Sequence, residues 1–259
     1  MPIYHKTKES RHSSYSYMSC LHSPREVLSQ HYYSLIKHML APITPHPFLA
    51  KKFKNKNFYD HKARWIHYFH QLRRVASILR NHPEGKEFSV LEIGPSHGIV
   101  THYLQLCGVN VKTLDVDPDN KPDYLGSVTD IDTLAPHNSC DVIVACEILE
   151  HLPFADFGHT LEKMKKVTRK YIFISVPDSR HILFQARIKL PALNEKSYSI
   201  RVTGPRMEPQ PNGGHQWELG RRGTPRSRVL KEINKTGLHV VTHYSHIDTP
   251  QNYYFLLSK

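Results

Sequence analysis

Cysteine is scarce in this chain of 259 residues: Cys20, Cys107, Cys140 and Cys146 are all there are, and no two lie at short paired spacing. Neither a zinc-finger pattern nor a disulfide framework is therefore indicated. The twenty histidines contain no H-E-x-x-H pattern. His67 and His70 share a helix face but have no third ligand, so no metal is expected. No apolar run approaches the roughly 18 residues needed to span a membrane. The N-terminus is rich in His, Ser, Tyr and Lys and has no apolar signal-peptide core, which makes a cytoplasmic location the expectation. No internal repeat is visible. Hydrophobic residues at 39% and charged residues at 22% fit an ordinary globular protein, and the length suits one large α/β domain with trimmings or two small ones.

Acidic residues are the other shortage, 23 against 35 Lys and Arg, for a net charge of +12. The imbalance is uneven. Residues 1–86 carry 15 basic and 4 acidic side chains, residues 87–179 carry 7 and 14, and residues 180–259 carry 13 and 5. An acidic centre between basic flanks suits an anionic partner: a phosphorylated or carboxylated metabolite, a glycan intermediate or RNA. The plainer alternative is general surface charge.

The most informative stretch is Val90-Leu91-Glu92-Ile93-Gly94-Pro95-Ser96-His97-Gly98. A short apolar run ending in a carboxylate reads as a buried parallel strand. The glycine-punctuated turn leads into Ile99–Leu106, which has a helical pattern. A strand–turn–helix sets a positive helix end beside a cleft, as nucleotide-type cofactors require. A dinucleotide turn needs glycine at its first, third and sixth places. Counting from Gly94, the third and sixth are Ser96 and Ile99, so the nicotinamide reading fails twice.

The spacing from Glu92 to Gly98, acidic-x-Gly-x-x-x-Gly, resembles motif I of the class I S-adenosylmethionine-dependent methyltransferases, with Ser96 where that family usually has a third glycine. Three later segments resemble the family in order. Val111-Lys112-Thr113-Leu114-Asp115 ends in a carboxylate suited to the ribose hydroxyls, with Asp117 as a nearby competitor. Pro122–Val128 matches the third strand and the loop over the adenine, with Ser127 replacing an acidic residue. Asp141–Ala145 leads into Cys146-Glu147-Ile148-Leu149-Glu150-His151-Leu152-Pro153, which resembles the segment of the small-molecule, quinone-biosynthesis branch. The resemblance implies S-adenosyl-L-methionine as cofactor. It implies contacts from Glu92, Gly94, Pro95, Ser96, Gly98, Asp115, Val116, Ser127, Val128 and Cys146. It also implies a Rossmann-like, seven-stranded, mostly parallel sheet with helices on both faces and a C-terminal antiparallel hairpin.

Around this core we expect a basic, partly disordered extension over residues 1–60, with residues 1–22 disordered and a short helix within 24–40. The methyltransferase domain would occupy residues 61–259. An amphipathic helix is expected over 62–79, with Trp65, Phe69, Leu72, Val75 and Leu79 on its apolar stripe. A crossover helix follows at Ala155–Val167, a fifth strand at Tyr171–Val176 and a last helix at Ser227–Lys235 with Gly237 as its C-cap. Strands at Leu238–Tyr244 and Tyr253–Leu257 close the chain. Residues 179–222 break the pattern and read as a substrate-side insertion.

Within that insertion Gly213–Gly220 resembles a segment of some uncharacterised bacterial methyltransferases. His215, Trp217 and Glu218 are its candidate acceptor contacts, with an ordinary packed tryptophan loop as the alternative. Arg221–Arg228 is a solvated basic loop or an anion clamp. His151 is the candidate general base, since imidazole titrates near neutral pH. The alternative is a histidine held by a backbone bond. Glu147 is either a site residue or a helix cap. Cys146 follows Ala145, not the proline of the 5-methylcytosine enzymes, so it reads as a small pocket-lining residue. The leading reading is methyl transfer to a small or glycan-like, anionic acceptor. Against a nucleic-acid acceptor, Cys146-Glu147-Ile148-Leu149 is not the Asn/Asp-Pro-Pro-aromatic motif used on base amines. A non-catalytic interaction module is the third reading.

Overall fold

The computed structural model describes residues 62–191, 195–205 and 214–259. The helix expected within 24–40 and the disorder expected over 1–22 lie outside the described residues. Helix α1 (Lys62–Leu79) precedes β1 (Ser89–Ile93), α2 (Ile99–Leu106), β2 (Asn110–Asp115) and β3 (Tyr124–Leu125). Then follow α3 (Ile131–Leu134), β4 (Cys140–Cys146), α4 (Phe154–Val167) and β5 (Thr168–Pro177). A hairpin of β6 (His181–Ile188) and β7 (Lys196–Val202) comes next, and α5 (Arg226–Lys235), β8 (His239–His246) and β9 (Thr249–Ser258) close the chain.

Seven strands form one sheet in the order β3-β2-β1-β4-β5-β9-β8. The first five are parallel, while β9 runs antiparallel to both β5 and β8. Successive side chains of a strand face opposite sides. Val90, Val142, Val144, Phe173, Tyr254 and Leu256 meet α1 and α2 on one face. Leu91, Ile143, Ala145, Ile172, Ile174, Phe255 and Leu257 meet α4 and α5 on the other. Burial on both faces explains why these strands are near-continuous apolar runs. The order reverses at β1 and β4, so the β1–α2 turn opens where the sheet leaves a crevice.

Helix α1 has the expected bounds; of its expected stripe Val75 is buried and Leu72 packs against the core, but Trp65 and Phe69 turn outward. Its inward residues are His67, His70, Gln71, Val75 and Ile78, while Trp65 and Phe69 are 50% and 54% exposed. The reason is what the sheet offers opposite. His67 Nδ1 lies 2.9 Å from the Tyr254 hydroxyl. The His70 ring sits 4.5 Å from that of His246 and 5.2 Å from that of Tyr254.

Burial, with help from Arg64 and His70, pushes the pKa of His67 down to about 3. Burial, His246 and Arg73 push that of His70 to about 4. Both are neutral in the folded protein, so the unfolded chain takes up protons first on acidification. The stability they permit is complete above pH 6.5 and drains away as pH falls toward the folded values. We expect acidification from pH 7.5 to 5 to cost about 2 kcal/mol through His67 alone. Urea titrations at the two pH values should show a smaller loss in His67→Gln. An equal loss in both proteins would contradict the assignment.

The β6–β7 hairpin fills part of the 179–222 insertion, where no regular element is expected from the sequence. Its root is tied to the main sheet through Asp178, whose buried carboxylate accepts hydrogen bonds from Arg180 Nη2 at 2.6 Å and Arg201 Nη1 at 2.7 Å.

Candidate active site

The turn after β1 uses left-handed backbone at three of five positions: Gly94 (φ 67°), Ser96 (φ 51°) and Gly98 (φ 69°). A Cβ at Gly94 would collide with the side chain of Ile148, which lies over the turn. The positive φ favours glycine there. At Ser96 the same backbone region costs a non-glycine residue about 1–2 kcal/mol. That is the physical sense of the family's third glycine. The Ser96 hydroxyl lies 3.0 Å from Nδ1 of buried His97. Gly94 N–H donates to Leu114 O (2.8 Å) and Gly98 N–H to Pro95 O (2.8 Å), locking the turn against β2 and onto itself.

Glu92 is buried at the end of β1, where its carboxylate accepts a hydrogen bond from the Thr101 hydroxyl of α2. Burial raises its pKa to about 7, against the opposing effect of that bond. It ties strand to helix beneath the turn. Asp115 ends β2, 8% exposed, accepting from Asp117 N–H at 2.9 Å and Asn120 Nδ2 at 2.8 Å. Ionised carboxylates offer about four acceptor sites, so two remain. Asp117, its competitor in the sequence, instead caps the turn Pro118–Asn120 through Asp119 N–H at 3.0 Å. Val116 stands at the rim, 67% exposed.

Beyond β3, Ser127 caps Val128–Asp130, accepting from Thr129 N–H (3.2 Å). The Val128 side chain belongs to the core, so backbone is what this position offers an adenine. The Cys146 thiol is pushed well above its ordinary pKa by burial and remains protonated, as suits a wall and not a nucleophile. Glu147 has φ 58°, a strained angle for glutamate, and its carboxylate accepts from the Ser175 hydroxyl at 2.8 Å. It does not cap a helix; Ile148 precedes the following turn, Leu149–His151. Burial raises the Glu147 and Glu150 carboxyls, and in Glu150 the proximity of Glu147 adds to it.

The insertion returns to this edge of the sheet. Gln216 N–H donates to Glu150 O at 2.7 Å, and Leu219 N–H donates to Pro177 O at 2.9 Å. That docking brings His215 to His151, ring centroids 5.2 Å apart and nearly perpendicular. His215 Nδ1 lies 2.9 Å from Glu218 Oε1. Glu218 is fixed in turn by the Ser179 hydroxyl and by Arg221 Nε at 3.1 Å.

Trp217 corrects the expectation placed on it. It is 3% exposed, its ring packs edge-on against Phe154 and Phe157, and its Nε1–H donates to Leu149 O at 3.1 Å. It is a core side chain that anchors the segment, and only its neighbours His215 and Glu218 face the site's edge. The basic loop is likewise partly spent. Arg221 serves Glu218, Arg226 lies 3.4 Å from the Tyr253 hydroxyl, and Arg228 donates to Gly223 O at 2.6 Å. Glu150 carries no sequence signal of a site residue beyond its adjacency to His151. Its approach to His215 needs the fold.

The model of a methyltransferase-domain family matches residues 46–234. No curated protein matches the chain in sequence. Among solved structures, that of the magnesium protoporphyrin IX methyltransferase of Synechocystis with bound SAH is 10% identical. It aligns over 87% of this chain and 99% of its own, with a TM-score of 0.51. The CurJ carbon methyltransferase is 12% identical over 77% of this chain and 56% of its own, with a TM-score of 0.51. These are likenesses of fold. The chain belongs to the methyltransferase-domain family. Its seven-stranded, mostly parallel sheet with a C-terminal antiparallel hairpin is the fold of these methyltransferases. Among the described residues no helix is long and apolar enough to cross a membrane.

Proposed function

We propose that the protein transfers a methyl group from S-adenosylmethionine to a small or glycan-like, anionic acceptor at the carboxyl edge of the sheet. The cofactor supplies a methyl carbon already activated by its sulfonium. The protein's task is therefore alignment, which accounts for much of the barrier reduction in such displacements. In this reading the strained turn of Gly94, Pro95, Ser96 and Gly98 receives the cofactor, over the Glu92 clamp. Asp115 takes the ribose hydroxyls, Val116, Ser127 and Val128 border the base, and Cys146 forms a wall. The left-handed backbone at Gly94, Ser96 and Gly98, which keeps the turn tight, supports close approach there. An acceptor hydroxyl or ammonium must lose a proton, and His151, exposed at the edge beside His215, is the group proposed to receive it.

The observation that carries the acceptor class is the insertion docked on the Leu149–His151 turn, which sets His215 and Glu218 over the edge. The basic flanks, 13 basic against 5 acidic side chains in residues 180–259, favour an anion. The same charge would serve RNA, so the test must separate the two. Purified protein is given methyl-labelled S-adenosylmethionine with a fractionated cell extract. Label in small anionic compounds is expected. Label in RNA, with binding that weakens steeply as salt rises, would replace this acceptor by RNA.

A further inference from the structure

We infer that Glu150, His151 and His215 form a binding site for one divalent first-row transition-metal ion of the zinc type. Each offers a ligand atom, and these atoms lie within 4.8 Å of one another. Two imidazoles and one carboxylate form a donor set typical of catalytic zinc sites, which keep a further position open. Tetrahedral ligands about 2.0–2.1 Å from an ion sit about 3.3 Å apart, so the trio must contract. The imidazoles can do this, because their side chains are 41% and 33% exposed and stand at the mouth.

Two independent features point to a ligand. The first is the Glu150 carboxylate: its side chain is 0% exposed, and neither oxygen has a hydrogen-bond partner among the described residues. His151 Nε2 stands 4.0 Å from its Oε1, too far for a hydrogen bond. Burial keeps such a carboxyl protonated unless a cation takes the place of the proton. The second is the support behind His215. Its Nδ1 faces Glu218, itself held by Ser179 and Arg221, which leaves Nε2 as the nitrogen for an ion. A histidine with a carboxylate behind its other nitrogen is the usual arrangement of a metal ligand.

The binding claim stands by itself; its catalytic use rests on the methyltransferase reading. A bound ion would acidify an acceptor hydroxyl at the open position, and His151 would then be a ligand and not the base.

Untagged protein titrated with Co2+ would show the d–d absorption of a low-coordinate site, saturating at one equivalent, with Zn2+ displacing the signal. His215→Ala and the near-isosteric Glu150→Gln should each weaken binding at least tenfold. His159→Ala, on an exposed helix face beside Glu162, should not. Far-UV circular dichroism and unfolding midpoints show whether each variant is folded. No saturable spectrum in the wild type, or less than a tenfold loss in both folded variants, would overturn the inference. Should either variant unfold, His151→Ala is held to the same tenfold criterion. Calorimetry with S-adenosylmethionine on the same samples separates the two claims. Cofactor binding without Co2+ binding defeats the metal site alone, and the reverse defeats the cofactor reading alone.

Discussion

Trp217→Ala is expected to lower the unfolding free energy by about 3–5 kcal/mol, the usual cost of truncating a buried aromatic residue. The indole packs edge-on against the stacked rings of Phe154 and Phe157, with ring centroids at 4.9 and 5.2 Å, and its N–H satisfies Leu149 O. The substitution leaves both a cavity and a buried carbonyl without its donor. Domains of this kind have total stabilities of about 5–15 kcal/mol, so much of the margin would go. Trp217→Phe keeps most of the packing and should cost about 1–3 kcal/mol, chiefly through the carbonyl. Chemical denaturation of the three proteins checks both values. A loss below about 1 kcal/mol in the alanine variant would mean that the indole is not core. Because Gln216 and Trp217 pin the insertion to the Leu149–His151 turn, the loss should also free His215 from His151.

The second large effect concerns the cofactor. Asp115→Ala should weaken S-adenosylmethionine binding about 10–100-fold. A hydrogen bond to a charged group is worth about 1.5–3 kcal/mol, and the expected loss is that of one such bond to the ribose. Asp115→Asn keeps one acceptor oxygen and should fall between. The neighbouring Asp117→Ala removes only a cap, so it should cost about 1 kcal/mol of stability and leave the affinity within about twofold. Equal losses of affinity at 115 and 117 would show that the loop, and not the strand-end carboxylate, determines binding.

How much of this was legible in the sequence depends on the range of the forces concerned. The β1–α2 turn, β2 with its terminal carboxylate, β4 and α4 stand where local pattern puts them. Alternation, caps and glycines act over a few residues. Helix α1 shows the limit. Trp65 and Phe69 mark a sound apolar stripe, yet His67 and His70 face inward because Tyr254 and His246 lie opposite, 187 and 176 residues on. Periodicity cannot register a partner so distant. The β6–β7 hairpin was missed for a related reason. Its strands expose Leu183, Phe184, Tyr198 and Ile200 at 50–67%, so no core-facing alternation announces it. Trp217 was ambiguous between core and site until the position of Leu149 settled it. Glu150 and His215 are 65 positions apart, and nothing but the docking of the insertion brings them together.

Isothermal calorimetry on the wild-type protein decides whether the turn from Gly94 to Gly98 serves S-adenosylmethionine and not a dinucleotide. S-adenosylmethionine and its demethylated product should each bind at one site per chain, and NADH should give no heat and no competition. Absence of heat with both sulfur ligands, or displacement of either by NADH, would contradict the claim.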